Sequence, residues 1–201
     1  MKTAIVILIS YLFGSVPWAL VIGKVFYHKD IRNEGSGHLG ASNAGRVLGK
    51  PAAVSVTVLD AIKAFLSMFV ATLISKDAIL YAGLACAFGH CFPVFAQFKG
   101  GKAVATAYGF FLGITVFVTH NWLINFILPV IAFFVMLYIT KIVSISSITA
   151  VGIEMIASFI FNHNLPLSIC LLILWAFITY RHKSNLIKLK NGQENKVKWM
   201  G

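Results

Sequence analysis

Long apolar runs separated by short polar segments form the main pattern of this chain. Seven of these runs come near the length of about 20 residues that a helix needs to cross the hydrocarbon core of a bilayer. They lie at about residues 4–26, 51–75, 78–97, 103–119, 122–140, 145–161 and 165–180. The pattern predicts an all-α, polytopic membrane protein with about seven transmembrane helices, some of them short.

The first and the last apolar runs differ from simple, straight spans. Gly14, Pro17 and Gly23 lie within the first run, and this predicts a kink there. That run is longer than a typical signal-peptide core, so it is expected to remain as a span. The last two runs are too short to cross upright by themselves, which makes five spans plus re-entrant pieces the main alternative.

The composition supports a membrane protein. The 201 residues are 59% hydrophobic and have a mean hydropathy of +0.86, which is far too apolar for an ordinary soluble domain. We therefore expect one integral-membrane domain over residues 1–201. Cys86, Cys91 and Cys170 all fall within apolar runs, so we expect small buried side chains rather than disulfides or metal ligands.

The charges predict an orientation. With seven spans, fourteen of the seventeen Lys and Arg residues lie on one face, Lys2 and Lys76 lie on the other, and Lys63 lies within a span. The positive-inside rule then puts the amino terminus outside and the carboxyl terminus in the cytoplasm. The formal net charge of +11 favours anionic lipids or an anionic substrate as partners. No basic face of a water-soluble fold is visible, so no nucleic acid is expected.

The first polar cluster is the glycine-rich loop from Asn33 to Asn43, followed by Arg46. Glycines permit positive φ and expose backbone N–H groups, and consecutive N–H groups can surround an anion. The guanidinium of Arg46 can bind a phosphate with two parallel hydrogen bonds. A flexible linker is the alternative interpretation.

The second cluster runs from His90 to Thr106 and contains Lys99, Gly100, Gly101 and Lys102. An apolar helix stops at two glycines flanked by lysines and a new helix starts, which favours an anion near the free N–H groups. The spacing is not that of a Walker P-loop. A basic turn at the membrane interface is the alternative.

Ionisable residues also occur within the apolar runs. Asp60 and Lys63 are three residues apart and share a helix face, so they are expected to form a structural ion pair, or Lys63 reaches toward the anion site. His90 is a candidate general base, but it could equally cap a helix or donate to a carbonyl.

The third cluster combines two distant segments. Ser144, Ser146 and Ser147 follow Lys141 at a predicted helix start, where serine is ordinarily an N-cap. Tyr180 to Asn185 ends the last run with cations, an imidazole and an amide, although a basic stop after a membrane helix explains it equally well. No spacing typical of a metal site is present. Together the clusters indicate binding or transfer of phosphorylated compounds, without specifying a reaction.

These three motifs, in this order, resemble the PlsY family of bacterial membrane acyltransferases. The first motif spans Gly35 to Arg46, and the second spans Gly83 to Thr106 with its Gly-His, Pro-x-Phe and Phe-Lys-Gly-Gly-Lys elements. The third corresponds to Val143-Ser144, Ser147-Ile148, Tyr180-Arg181-His182, Asn185-Leu186 and Glu194. The resemblance covers residue 13 to about 196.

The resemblance implies transfer of an acyl group from acyl phosphate to the sn-1 hydroxyl of glycerol 3-phosphate, without a cofactor or metal. It implies a multi-pass protein of the bacterial plasma membrane whose active site faces the cytoplasm and whose partners are the two substrates and membrane lipids. Ser36 and Arg46 are then the expected catalytic residues. The expected substrate-binding residues are Gly35, Gly37, Gly40, Asn43, Lys63, His90, Gly100, Gly101, Lys102, Thr106, Ser144, Ser147, His182, Asn185 and Glu194.

Some positions depart from the family pattern. His38 stands where Asn is usual, Ala103 where Gly is usual and Lys141 where Arg is usual, while Ser42 replaces Thr and Ser184 replaces Glu. His38 puts the geometry of the first loop in question. A transporter of organic phosphates is the alternative from another functional class, and a non-catalytic lipid-organising protein is the third.

Overall fold

Ten α-helices follow one another in the computed structural model, which describes residues 1–197. Short 3-10 turns occur at Ile31–Asn33, Lys76–Ala78 and Val94–Ala96, and π-helical turns occur at Thr115–Thr119 and Leu123–Ile127. Each predicted apolar segment coincides with a helix or helix pair, so the all-α prediction is confirmed. Lys198, one of the predicted cytoplasmic cations, lies outside the described residues. The helices are α1 Lys2–Gly14, α2 Trp18–Tyr27, α3 Ala41–Val47, α4 Lys50–Ile74, α5 Ile79–Cys91, α6 Val104–Ile114, α7 Leu128–Thr140, α8 Val143–Phe161, α9 Leu165–Arg181 and α10 Lys183–Lys190.

Several helical segments are long and apolar enough to cross a membrane. There are five within the described residues: Lys2–Tyr27, Lys50–Ile74, Lys76–Ala96, Leu123–Thr140 and Val143–Phe161. A sixth results if α9 and α10, which meet at 54°, count as one span, and Val104–Thr119 is a shorter apolar helix. The expectation that segment 145–161 is too short to span was wrong, because α8 begins at Val143 and has 19 residues. A count of seven spans and the orientation stay predictions.

The predicted kink in the first span is confirmed. α1 ends at Gly14 and α2 begins at Trp18, directly after Pro17. Proline has no N–H and cannot donate to the Phe13 carbonyl, which accepts the Val16 N–H at 3.3 Å instead. The Val16 carbonyl at the break accepts hydrogen bonds from the Trp18 N–H at 3.2 Å and from Lys63 Nζ at 3.1 Å. A cation on α4 thus helps to stabilise the break.

The residues divide into two compact units, Met1–Gly113 and Ile114–Gly201. In the first unit, α4 packs against α1, α2, α3 and α5. In the second, α8 packs against α7 and α9. A buried Glu154 carboxylate in α8 accepts a hydrogen bond from Asn125 at 2.8 Å, which joins α8 to the π-helical turn before α7. The prediction of buried, unbridged cysteines is confirmed at all three positions.

Glycines allow α1 and α5 to approach backbone to backbone. A Cβ on Gly14 would overlap the Cys86 backbone, and a Cβ on Gly89 would overlap the Tyr11 carbonyl. Membrane helices use small residues for such contacts because lipid provides no hydrophobic force to drive the helices together. This crossing also fixes the end of α5, which leads into the Lys-Gly-Gly-Lys turn of the second motif.

We predict that Gly89→Ala destabilises the protein, because the new methyl group meets backbone that cannot move independently. The expected loss is about 1–3 kcal/mol of unfolding free energy, as for other overpacked sites. The measurement is the thermal unfolding midpoint in detergent, with Ala4→Val as control, since Ala4 is exposed on α1. Equal midpoints for the two variants would show that the crossing is not tight.

Candidate functional site

The polar loop of the first motif is anchored by two apolar side chains. Ile31 and Leu39 are 0% and 2% exposed and pack into a buried core that also contains Ala44 and Val56. Burying each of these aliphatic side chains contributes about 1.5–3 kcal/mol. The glycine-rich segment between them is therefore fixed at both of its ends, which is not the behaviour of a flexible linker.

Asn43 organises the loop from inside. Its side chain is 1% exposed; Oδ1 accepts a hydrogen bond from the Ser36 N–H at 2.8 Å, and Nδ2 donates to the carbonyls of Ile31 and Glu34. Gly35 has φ of 61°, and a Cβ there would overlap Asn43 Oδ1. Asn43 thus makes the contacts expected of a residue that shapes the loop.

The unusual His38 is accommodated by the loop. Its Nδ1 lies 2.9 Å from the Ser36 carbonyl oxygen. A carbonyl only accepts, so Nδ1 donates here, as the amide of an asparagine also can. Ser36 itself is exposed, and its hydroxyl makes no hydrogen bond to the part of the chain that the structure describes. Its side chain is therefore available to a ligand.

Acidic residues neutralise several cations that surround the loop. Arg32 donates to both oxygens of Asp30, at 2.9 Å from Nε and 2.6 Å from Nη2. These hydrogen bonds hold the pKa of Asp30 well below its usual range and raise the pKa of Arg32. Lys24 also lies 3.5 Å from Asp30, and Lys29 lies 3.4 Å from Glu34.

Arg46 differs from these cations. It is exposed in the last turn of α3 and forms no ion pair with any residue in 1–197. Because the neighbouring cations already have acidic partners, Arg46 is the guanidinium next to the loop that can take an external anion. The two-hydrogen-bond phosphate contact of Arg46 stays a prediction.

The turn of the second motif is packed against the end of α5. The Gly100 N–H donates to the Cys91 carbonyl at 3.2 Å, and the Gly101 N–H donates to the His90 carbonyl at 3.1 Å. Both glycines are buried, and a Cβ on Gly100 would overlap the His90 carbonyl oxygen. Only residues without a side chain fit this approach.

Gly101 is also where the first two motifs meet. A Cβ on Gly101 would overlap His90 Nε2 and would lie 3.0 Å from the Leu39 carbonyl oxygen. Leu39 belongs to the first loop and His90 to α5. Gly101 therefore lies between a residue of the first motif and a residue of the second. The first unit therefore brings the glycine-rich loop and the Lys-Gly-Gly-Lys turn together.

Lys63 and His90 belong to one buried polar cluster with Asp60. Lys63 Nζ lies 2.8 Å from Asp60 Oδ1 and 3.0 Å from His90 Nδ1, and the Asp60 and Lys63 side chains are each 2% exposed. The predicted structural ion pair is confirmed. The predicted substrate contacts of Lys63 and His90 stay predictions, because both side chains are held by protein groups in this structure.

Two further predicted residues lie just before α6 and in its first turn. Lys102 is half-buried, and Thr106 is fully buried with no hydrogen-bond partner for its Oγ1 among residues 1–197. Between them Ala103 has φ of 59°, a conformation that favours glycine. This conformation gives a physical reason for a glycine at this position of the pattern that the sequence resembles.

In the second unit, Glu194 joins two predicted residues. Its Oε1 accepts hydrogen bonds from Ser144 Oγ at 3.1 Å and from Asn185 Nδ2 at 2.6 Å. The backbone nearby is closed by a bond from the Val197 N–H to the Lys141 carbonyl at 2.8 Å. The structure therefore brings Ser144, Asn185 and Glu194 together.

The expectation that a serine caps α8 was wrong. Ile142 is the N-cap residue, and Ser146 and Ser147 lie within the helix, where their hydroxyls donate to the carbonyls four residues earlier at 2.8 Å. Such back-bonding is a common alternative to capping for serine.

His182 is buried, and its Nδ1 lies 2.8 Å from the Ile178 carbonyl oxygen.

Sequence reasoning missed two features of this site. One is Leu39, which presents its carbonyl to Gly101. The other is the link from the predicted Asp60–Lys63 pair to His90. Leu39 gave a weak signal, as the single large apolar side chain within a polar loop. No sequence pattern linked Asp60 to His90, because their contact depends on how two helices pack. Among residues 1–197, no group of three or more His, Cys, Asp or Glu side chains is placed to hold a metal ion.

Comparison with known proteins points to one enzyme family. The family model described as glycerol-3-phosphate acyltransferase matches residues 4–192. Glycerol-3-phosphate acyltransferases of Geobacillus kaustophilus and Staphylococcus haemolyticus are 41% and 40% identical, with coverage of 99% and 100% of this chain and 98% and 100% of theirs.

Solved structures agree with this match. One is the crystal structure of PlsY (YgiH), an integral membrane glycerol 3-phosphate acyltransferase, in its glycerol 3-phosphate form. It matches with a TM-score of 0.88 and 31% identity, and the match covers 98% of this chain and 96% of that one. Its lysophosphatidic acid form matches with a TM-score of 0.86. The family favours an acyltransferase over the organic-phosphate transporter. The chain belongs to the glycerol-3-phosphate acyltransferase family, in its integral-membrane PlsY branch.

Proposed function

We propose that this protein transfers a fatty acyl group from acyl phosphate to the sn-1 hydroxyl of glycerol 3-phosphate. The products are 1-acylglycerol 3-phosphate (lysophosphatidic acid) and inorganic phosphate. The observation that carries the proposal is the junction at Gly101, where the turn predicted to admit the donor lies against the loop that contains Ser36. The Ser36, Gly100 and Gly101 N–H groups donate within the protein, contrary to the expectation of free donors at the turn. The cations Arg46, Lys99 and Lys102 are the groups that suit two anionic reactants.

Arg46 supports the same assignment. Both substrates carry phosphate, and Arg46 is an exposed guanidinium without an acidic partner among the described residues. Guanidinium groups bind phosphate with two parallel hydrogen bonds, which fixes orientation as well as charge. The buried Thr106 hydroxyl, without a protein partner in residues 1–197, is a further group that a bound phosphate would satisfy.

The transfer needs no enzyme nucleophile, since acyl phosphate is an activated mixed anhydride. The sn-1 oxygen attacks the acyl carbonyl carbon, the bond from that carbon to the phosphate oxygen breaks, and a phosphate oxygen of the donor takes the hydroxyl proton. The protein contributes orientation and charge neutralisation, which are large terms when the groups are held in place beforehand. Ser36 orients the donor anion, and Arg46 and Lys102 neutralise charge.

The remaining predicted residues take supporting roles. Gly35, Gly37, Gly40 and Asn43 give the first loop its shape. The phosphate-binding roles of Ser144, Ser147, His182 and Asn185 stay predictions. Glu194 is an acceptor and therefore cannot bind phosphate directly; it holds Ser144 and Asn185 in place. The distribution of Lys and Arg favours an active site on the cytoplasmic side of the bacterial plasma membrane.

We predict that the purified protein in lipid forms labelled lysophosphatidic acid from acyl phosphate and radiolabelled glycerol 3-phosphate. The same assay with acyl-CoA or acyl-acyl carrier protein should give no product above background, since neither donor brings the phosphate that accepts the proton. Product with acyl-CoA alone would contradict the assignment of the donor, and no product with any donor would contradict the proposed activity.

We predict that Ser36→Ala lowers kcat by about 100-fold or more, as the loss of an orienting hydrogen-bond donor does elsewhere. Ser42→Ala is the matched control, because Ser42 is an exposed hydroxyl of the same segment; its kcat should change less than about threefold, as for a surface change. Near-normal turnover of Ser36→Ala in lipid would remove the assigned role. A pre-steady-state burst of inorganic phosphate that precedes lysophosphatidic acid would instead indicate an acyl-enzyme and contradict direct transfer.

A further inference from the structure

The last helix, α10, carries several exposed lysines. Residues 181–197 contain five Lys and Arg side chains and a single carboxylate, that of Glu194, which accepts hydrogen bonds from two neutral side chains. Within the part of the chain that the structure describes, Lys183, Lys188 and Lys190 form no ion pair with an acid. Their charges therefore remain available, unlike those of the cations around the first loop that have acidic partners.

Two of these lysines share a helix face with an apolar side chain. Lys183, Ile187 and Lys190 are four and three residues apart, so they lie on one side of α10. All three are exposed, and 52% of the Ile187 surface is accessible. Asn185 lies on the other side, where its hydrogen bond of 2.6 Å to the tail carboxylate holds the helix against the protein. The face with the lysines therefore points away from the second unit.

The place of α10 in the chain favours the membrane interface. α9 is apolar and ends at Arg181, and α10 begins two residues later at an angle of 54° to it. The 17 residues of α9 are about 25 Å long, slightly less than the hydrocarbon core of about 30 Å, so a crossing α9 ends among the headgroups. Tyr180 in its last turn is 65% exposed, and tyrosine is enriched at this level of membrane proteins.

The side chains of the exposed face suit this level of the bilayer. A lysine at the bilayer centre is costly, whereas an anionic membrane surface attracts it. An exposed isoleucine, by contrast, gains from leaving water, and interfacial helices bury such side chains at the boundary of headgroups and acyl chains. The positive-inside rule accounts for cations at this end of α9, but it does not account for a face on which two lysines flank Ile187.

From these observations we propose that the face of α10 formed by Lys183, Ile187 and Lys190 is a docking surface for anionic phospholipids. The two ammonium groups bind lipid phosphates, and Ile187 enters the acyl boundary between them. A lipid is the favoured source of phosphate because a soluble anion would leave the Ile187 side chain in water. The inference does not rest on the proposed function, since neither lysine has an assigned part in acyl transfer.

The test is lipid binding to the full-length protein purified in detergent. Native mass spectrometry should show that the wild type retains phosphatidylglycerol in preference to phosphatidylcholine. Lys183→Gln combined with Lys190→Gln should lower this preference about tenfold or more, because each lysine near an anionic surface contributes about fivefold to binding. A wild type without a preference for phosphatidylglycerol would overturn the proposal.

Lys2→Gln combined with Lys50→Gln is the charge-matched control. Lys2 and Lys50 begin α1 and α4, and each is the only exposed lysine of its helix. The lipid preference of this variant should stay within about threefold of the wild type, as for other surface changes. Equal losses in the two double variants would show that only net charge matters and would overturn the docking surface. Size exclusion and the thermal midpoint establish that each variant is folded.

Soluble anions distinguish the two sources of phosphate. Inorganic phosphate and glycerol 3-phosphate should displace phosphatidylglycerol no more than sodium chloride of the same ionic strength, which only screens the charges. Stronger displacement by either anion would assign the lysines to a soluble phosphate and contradict the lipid assignment.

A depth measurement tests the location of Ile187 by a separate route. The cysteines Cys86, Cys91 and Cys170 are buried, so a nitroxide reagent will label Ile187→Cys selectively. In vesicles of phosphatidylglycerol and phosphatidylcholine, the label should be more accessible to oxygen than to a water-soluble nickel chelate, as expected at the acyl boundary. A label as accessible to nickel as a nitroxide free in water would contradict the insertion of this face.

Discussion

The close approach of Gly101 to His90 and Leu39 is the constraint on which the candidate site depends. Loops that carry polar backbone at the edge of a membrane must be held by contacts rather than by a regular ladder. Here a glycine without a side chain lets a turn, a helix end and a second loop share one point. The loop is anchored by Ile31 and Leu39, and the turn by hydrogen bonds to the end of α5.

The same logic links the first span to this point. Pro17 breaks that span, and the break leaves the Val16 carbonyl where Lys63 reaches it. Lys63 also contacts His90. The break between α1 and α2 and the glycine turn are therefore linked through one buried ammonium group. A helix break usually costs stability. Here the Val16 carbonyl at the break helps to hold the Lys63 ammonium next to His90 of the second motif.

Much of this could be predicted from the sequence because it depends on local rules. The hydrophobic runs predicted the helices, and Pro17 predicted the kink in the first span. The three-residue spacing predicted the Asp60–Lys63 ion pair. The short helix α3 was missed, because its Gly, Ser and Asn residues have low helix propensity and packing against α4 decides its conformation. The contact of His90 with Lys63 joins residues 27 apart and depends on helix packing, so no local pattern could have indicated it.

A structure with a non-hydrolysable acyl phosphonate bound would show where the acyl donor binds. We expect phosphonate oxygens within hydrogen-bond distance, about 3.2 Å or less, of groups in the turn from Lys99 to Lys102. We also expect that the Asp60–Lys63–His90 contacts are retained in that complex. A phosphonate bound away from both the turn and the loop from Asn33 to Asn43 would contradict the account.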